Sequence, residues 1–323
     1  MIKRKNKFMY QRIRQKKLRR KKAIKLALNA LVLITLASGT FSIMGGIKTN
    51  EVIASDNLNT NSDNLNTNNE IDKEENIPIH KDTDIIKSSN ITYGGEKYSV
   101  PAKKVQEIVN GSSIDENKYV FLTFDDGPSP NTEKVLDILK EKDVKATFFV
   151  LGQNLENNTS SQELLKRAIR EGNAIGNHSY SHNMKKLYPN NKIDMDAFMN
   201  EINHTNNLLK NILGDEFDTK VIRMPGGYNS REYYKDPSLP AFNDNLNKNN
   251  IVNIDWNALN GDAEGKNYST QDMLNYAIKT SENKNQIVIL MHDTYGKEKT
   301  AQMLPELIDY YKNHGYEFKT IRS

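Results

Sequence analysis

The sequence predicts an α/β fold built on a parallel, barrel-like sheet, preceded by a basic tail, an apolar segment and an Asn-rich linker. Three observations carry this. From residue 118 onward, short apolar runs rich in β-branched and aromatic residues alternate with longer stretches of helical period, the pattern of βα units. Several of these runs end in a charged or imidazole side chain, and in parallel α/β structures the C-terminal ends of strands gather on one face, where active sites form. The stretch is about 205 residues long, enough to bury a full core.

Taken in order, Tyr119–Phe124 reads as a buried strand that delivers Asp125 and Asp126 where the chain turns at Gly127-Pro128. Helical stretches are expected at Thr132–Lys142, Ser161–Glu171, Asp194–Leu213, Gln271–Ser281 and Thr300–Asn313. Further strands are expected at Ala146–Gly152, at Val221–Met224 running into Pro225-Gly226-Gly227, at Ile251–Trp256, and at Ile287–Met291 ending in His292.

The paired carboxylates suggest a division of labour, because consecutive side chains on an extended chain point in opposite directions. One acid then faces a metal and the other an attacking water. His178 and His182, at i and i+4, are expected on one face of a helical turn, and neutral imidazole is the commonest zinc ligand. Two His and one Asp leave open coordination positions, as a catalytic metal needs. Taken singly, each feature has an ordinary reading: Asp-Asp-Gly-Pro as a polar turn, Arg223 as a structural ion-pair partner, His292 as a strand-end histidine. Four polar strand ends in one chain point instead to metal-assisted hydrolysis. The same two-His, one-carboxylate set also describes non-haem Fe(II) oxygenases, a reading that leaves Asp125 and His292 without a role.

In their order, TFDDGP (Thr123–Pro128), HSYSH (His178–His182), RMPGG (Arg223–Gly227) and ILMHD (Ile289–Asp293) resemble the polysaccharide deacetylases of carbohydrate esterase family 4, the NodB-homology group. The resemblance covers Lys118–Ser323 and is nearest to Gram-positive peptidoglycan N-acetylglucosamine deacetylases. It implies a distorted barrel of about seven parallel strands. It further implies one divalent metal, Zn²⁺ or Co²⁺, held by Asp126, His178 and His182. Asp125 would be the general base, oriented by Arg223, and His292 the general acid. The Gly226 N–H would stabilise an oxyanion, with Pro225, Trp256, Tyr228 and Leu290 lining the pocket and Leu290 against the acetyl methyl. The implied substrate is the N-acetylglucosamine of peptidoglycan, with N-acetylmuramic acid, chitooligosaccharides or O-acetyl xylan as alternatives.

Two positions depart from the family pattern. Gly226 stands where a Tyr is frequent, with Tyr228 a possible compensation. Leu259, within Asp255-Trp256-Asn257-Ala258-Leu259-Asn260-Gly261-Asp262, stands where some members place an Asp that tunes the catalytic His. Asp262 and Asp255 are the substitutes within reach of sequence. Without one, the chain would be a catalytically impaired glycan-binding relic. Trp256, the single tryptophan, fits a pocket wall or the core equally.

Residues 1–25 hold 13 Lys and Arg and no acid, and Leu26–Ile47 follows as a mainly apolar stretch of 22 residues. Such a stretch spans a bilayer, and its basic flank places that end in the cytoplasm. A cleaved signal peptide is the alternative, though no clear small-x-small site precedes the linker. Beyond residue 25 the chain carries 32 basic and 41 acidic residues, so the net charge of +4 belongs to the tail and signals topology and anionic lipid, not nucleic acid. There is no Cys, which excludes disulfides and thiolate chemistry. Residues 48–88 read as a disordered linker containing a tandem SDNLNTN, and 89–117 as either an N-terminal extension packed on the barrel or the end of that linker. The anchor reading predicts that the full chain fractionates with membranes and that protease added to intact cells releases the folded unit through the Asn-rich tether. Recovery of only a shortened chain in the medium would show signal cleavage instead.

Overall fold

Residues 80–113 and 115–323 are described by the computed structural model. The basic tail, the apolar segment 26–47 and the linker up to residue 79 lie outside them, and among the described residues no helix is long and apolar enough to cross a membrane. In chain order the strands are β1 (Ser99–Pro101), β2 (Tyr119–Asp125), β3 (Thr147–Val150), β4 (Ala174–Asn177), β5 (Val221–Ile222), β6 (Val252–Asn253), β7 (Ala258–Leu259), β8 (Gln286–His292), β9 (Glu317–Phe318) and β10 (Thr320–Arg322).

Seven strands form one parallel path, β6-β5-β4-β3-β2-β8-β7. β9 pairs with the start of β2, at Tyr119 and Val120, while β3 pairs with its end, from Thr123 to Asp125. Chain connectivity makes this sheet curl. Laid flat at a spacing of about 4.8 Å, the edges β6 and β7 would stand about 29 Å apart. Only residues 254–257 separate them in sequence, and five residue steps reach at most about 17 Å. The two edges are therefore drawn together without a ladder between them, which makes a distorted and incompletely closed barrel.

Period-two alternation divides the strands between two cores. On β2, Val120, Leu122 and Phe124 face outward into a cluster with the helices Pro130–Glu141, Thr159–Arg170, Thr270–Ser281 and Glu298–Asn313. The inward set is Phe121, Thr123 and Asp125, and on β8 it is Val288, Leu290 and His292. Phe121 and Val288 join Phe149, Val221, Val252 and Ile254 in an interior cluster. The inward rows of β2 and β8 thus run from apolar at their start to polar at their C-terminal end, so the apolar plug lies at the bottom of the barrel and the site at its top.

Part of this plug comes from the segment before β2. The helix Ala102–Asn110 buries Ala102, Val105, Ile108 and Val109, all members of the interior cluster. β1 pairs with β10 from Ser99 to Pro101. The linker assigned to 48–88 also ends earlier than expected, because residues 80–88 are folded: Ile85 bridges to Thr92, and Ser88 N–H donates to Glu216 O at 2.8 Å. Phe121 is fully buried in this interior. Phe121→Ala is expected to cost about 3–5 kcal/mol, read as a lower urea midpoint at unchanged slope; an unchanged midpoint would contradict its placement.

Candidate active site

Asp125 ends β2 and is 2% exposed, which makes its charge dependent on a partner. That partner is Arg223, fully buried just past β5, whose Nη1 donates to Asp125 Oδ1 at 2.8 Å and to Thr123 Oγ1 at 2.7 Å. Arg223 Nε donates to Ile254 O at 2.8 Å, and the guanidinium lies 4.2 Å from the Phe149 ring centroid. The contact expected between Arg223 and Asp125 is present, and it leaves Asp125 Oδ2 facing the other way, 3.7 Å from His178 Nε2.

Asp126, His178 and His182 converge, each offering a ligand atom within 4.8 Å of the others. They do so by a route the sequence did not suggest. Asp126 has φ +71°, so strand alternation stops at Asp125 and both carboxylates turn toward the same imidazole: Asp126 Oδ1 is 3.5 Å from His178 Nε2. The expectation that the two acids point in opposite directions therefore fails. Nor do the histidines share a helical turn. Residues 178–182 form a loop with Ser179 at φ +72° and His182 at φ +53°, and the rings meet at 5.1 Å because the loop folds back on itself. Non-glycine residues rarely adopt this region and persist there only where the surroundings hold them. Here Asn177 Oδ1 accepts from Ser179 N–H, while Gly152 and Gln153 donate to the carbonyls of Ser179 and Tyr180.

On the neighbouring strand β8, His292 Nδ1 lies 2.8 Å from Asp262 Oδ1, and His292 N–H donates to Asp262 Oδ2 at 2.9 Å. Thr300 Oγ1 also donates to Asp262 Oδ2. Asp262 is thus the acid that serves His292, three residues beyond Leu259. Leu259 lies in β7 paired with Leu290. Asp255, the other substitute considered, is engaged elsewhere: it accepts from the backbone N–H groups of Tyr228 and Asn229, at the start of the helix Tyr228–Tyr233.

Gly226 is exposed, with φ +75°, and its N–H has no protein acceptor among the described residues. Pro225 is buried beneath it. Trp256 is half-buried against the interior cluster, and a Cβ added at Gly227 would stand 2.7 Å from its ring. Leu290 is buried on the same face of β8 as His292. Tyr228 is partly buried, two residues past Gly226. It packs against the Phe242 and Leu246 cluster, and its hydroxyl accepts from Asn243 Nδ2 at 2.8 Å.

Sequence reasoning assigned no role to Asp293. Its buried Oδ2 accepts from Thr132 Oγ1, its N–H donates to Asp125 O, and a Cβ at Gly127 would stand 2.4 Å from it. It braces the turn that carries Asp126. Burial pushes its carboxyl up to about 7, with the nearby Asp126 and Asp125 charges adding to the effect.

The polysaccharide deacetylase family profile matches residues 113–238. The peptidoglycan-N-acetylglucosamine deacetylase of Bacillus cereus is 34% identical over 218 residues, 63% of this chain and 69% of that protein. The chain belongs to the polysaccharide deacetylase family. A solved CE4 esterase from Streptococcus mutans superposes with a TM-score of 0.69 at 37% identity, covering 75% of this chain and all of that one. A bifunctional xylanase/deacetylase from Pseudobutyrivibrio xylanivorans is 32% identical over 66% of this chain, but the match spans only 31% of that longer protein.

Polysaccharide deacetylases use a divalent metal, and the residues present fit one. Asp126 Oδ1 is buried without a hydrogen-bond partner, a costly state for a carboxylate that a cation would relieve. His178 Nδ1 lies 2.7 Å from Arg223 O; a carbonyl only accepts, so the proton sits on Nδ1 and the Nε2 lone pair faces Asp126. Burial lowers the His178 pKa below its ordinary value, which favours the neutral, ligating form.

Burial also opposes charge on His292, but the hydrogen bond to Asp262 and its charge, with Asp125 and Asp126 behind it, raise the imidazole to about 9. Because the folded value exceeds the ordinary 6.5, the stabilisation is fully present below pH 6.5 and is lost as pH rises through about 9. Asp262→Asn is expected to lower the His292 value by about 1–3 pH units, seen by NMR titration of the ring proton. A titration unmoved by Asp262→Asn would remove Asp262 from this role.

Proposed function

We propose that this chain hydrolyses N-acetyl groups from a cell-wall polysaccharide, releasing acetate, with the N-acetylglucosamine of peptidoglycan as its substrate. One observation carries the reading. Two buried acid–base pairs, Arg223–Asp125 and Asp262–His292, stand on neighbouring strands, at residues paired across β2 and β8, beside an Asp-His-His set with an unpartnered carboxylate oxygen. An oxygenase would use the ligand set alone and gives the flanking pairs no work. The Asp262 contact also removes the argument for a catalytically impaired relic, which rested on Leu259.

An amide is a poor electrophile with a poor leaving group, so its hydrolysis needs an activated water, a stabilised oxyanion and a proton for nitrogen. When bound, the divalent ion supplies Lewis acidity at the acetyl carbonyl and makes a water more acidic. Asp125 Oδ2, the oxygen not held by Arg223, accepts the proton of the attacking water. Gly226 N–H donates to the developing oxyanion. His292 uses Nδ1 to face Asp262 and so presents Nε2–H to the departing amine; with its pKa near 9 it carries that proton at neutral pH. Leu290, on the His292 face, packs against the acetyl methyl.

The assignment of the metal to Zn²⁺, with Co²⁺ as a functional replacement, is supported by the N and O donor set. The choice of peptidoglycan is supported by the named activity of the Bacillus cereus relative and by the basic-then-apolar N-terminus, from which we place the catalytic unit outside the cell membrane on a retained single-pass anchor. Acetate release from peptidoglycan fragments, chitooligosaccharides and acetylated xylan separates the substrates. Chelation should abolish release and Zn²⁺ or Co²⁺ should restore it; full activity in demonstrably metal-free protein would sink the mechanism. Asp125→Asn and His292→Ala are each expected to lower kcat about 10²- to 10⁴-fold with metal content near wild type. Loss of metal from Asp125→Asn would instead make Asp125 a ligand.

A further inference from the structure

We propose that Glu201 is a positioning residue for the metal centre, holding the 178–182 loop in the shape that brings its two imidazoles together. Glu201 lies on the helix Met195–Leu213 and is 3% exposed. Its Oε2 accepts from the backbone N–H groups of Tyr180 and Ser181 at 3.2 and 3.0 Å, and its Oε1 accepts from Ser181 Oγ at 2.7 Å. Lys186 Nζ closes the set at 3.0 Å from Oε1. The carboxylate therefore grips the backbone between His178 and His182 without reaching for the ligand atoms of either.

The need for such a grip follows from the loop's conformation. Ser179 and His182 both sit at positive φ, and a backbone so folded relaxes unless its N–H and C=O groups are held. Gly152 and Gln153 hold the carbonyl side. Glu201 holds the N–H side, and a carboxylate accepts both amides more strongly than a neutral group would. Asn177, at the loop's start, donates to Ile202 O and Asn206 Oδ1, so one helix supports the loop at two places. Partners that orient metal ligands from outside are typically worth 10- to 100-fold in metal affinity.

This inference rests on Asp126, His178 and His182 being the ligands, and its test reads metal binding directly. The Zn²⁺ affinity of the full chain is measured by competition with a chromophoric chelator for wild type, Glu201→Ala, Glu201→Gln and Leu209→Ala. Leu209 is a buried core residue on the same helix, away from the loop contacts, and serves as the control for general destabilisation. Glu201→Ala is expected to weaken Zn²⁺ binding about 10- to 100-fold, while Leu209→Ala lowers the melting temperature and leaves affinity unchanged. Affinity equal to wild type in Glu201→Ala, or an equal loss in Leu209→Ala, overturns the proposal. Should Glu201→Ala not fold, Glu201→Gln decides: it keeps one acceptor oxygen but not the charge, and is expected to bind several-fold more weakly. Wild-type affinity in Glu201→Gln then overturns the proposal, and a wild-type chain that binds no Zn²⁺ overturns both the ligand set and the role of Glu201.

Discussion

A single buried guanidinium organises the top of this barrel. Arg223 is fully buried, and a charge so placed is tolerable only if its donors are satisfied. Its side chain meets Asp125 and Thr123 on β2 and the Ile254 and Asp255 carbonyls on the segment between β6 and β7. Its backbone holds the histidine loop: Arg223 N–H donates to Asn177 O, and Arg223 O faces His178 Nδ1. One residue thus fixes the candidate base, the tautomer of one imidazole, and the short connection that draws the sheet's edges together. Removing one partner of such a pair leaves an uncompensated buried charge, typically at a cost of about 3–5 kcal/mol.

The site also gives its two candidate proton-handling groups opposite partners. Asp125 is paired with a cation and His292 with an anion, so the proposed base and the proposed acid face partners of opposite charge. The Asp262 pair is strong enough to overcome the burial of His292. Asp262 itself lies below its ordinary value: burial opposes this, but the His292 and Thr300 contacts outweigh it.

Much of this was legible because strand ends are read by simple alternation. Tyr119–Asp125 and Gln286–His292 are long, apolar and β-rich, so the residue pattern alone places their terminal Asp125 and His292 on one face. The same rules failed where the backbone leaves regular geometry. At Asp126, Ser179 and His182 a positive φ replaced the assumed strand or helix, and neither period applies. β4 was missed because Ala-Ile-Gly-Asn carries little β signal; its Gly176 is required by the Phe149 ring, 2.6 Å from where a Cβ would be. The helix Ala102–Asn110 is amphipathic, but its apolar face has meaning only as the plug of a barrel interior that sequence does not display. Asp262 was visible as an acid near Leu259, yet its choice over Asp255 depended on which carboxylate was already occupied by backbone amides.

The central claim is that two adjacent carboxylates do different work, Asp126 as a ligand and Asp125 held back by Arg223. Crystals equilibrated with Zn²⁺ and measured at the zinc absorption edge test it directly. The account predicts one strong anomalous peak about 2.0–2.2 Å from Asp126, His178 Nε2 and His182 Nε2, with the Arg223–Asp125 pair intact. A peak ligated by Asp125 in place of Asp126, or no peak between the two imidazoles, would contradict it.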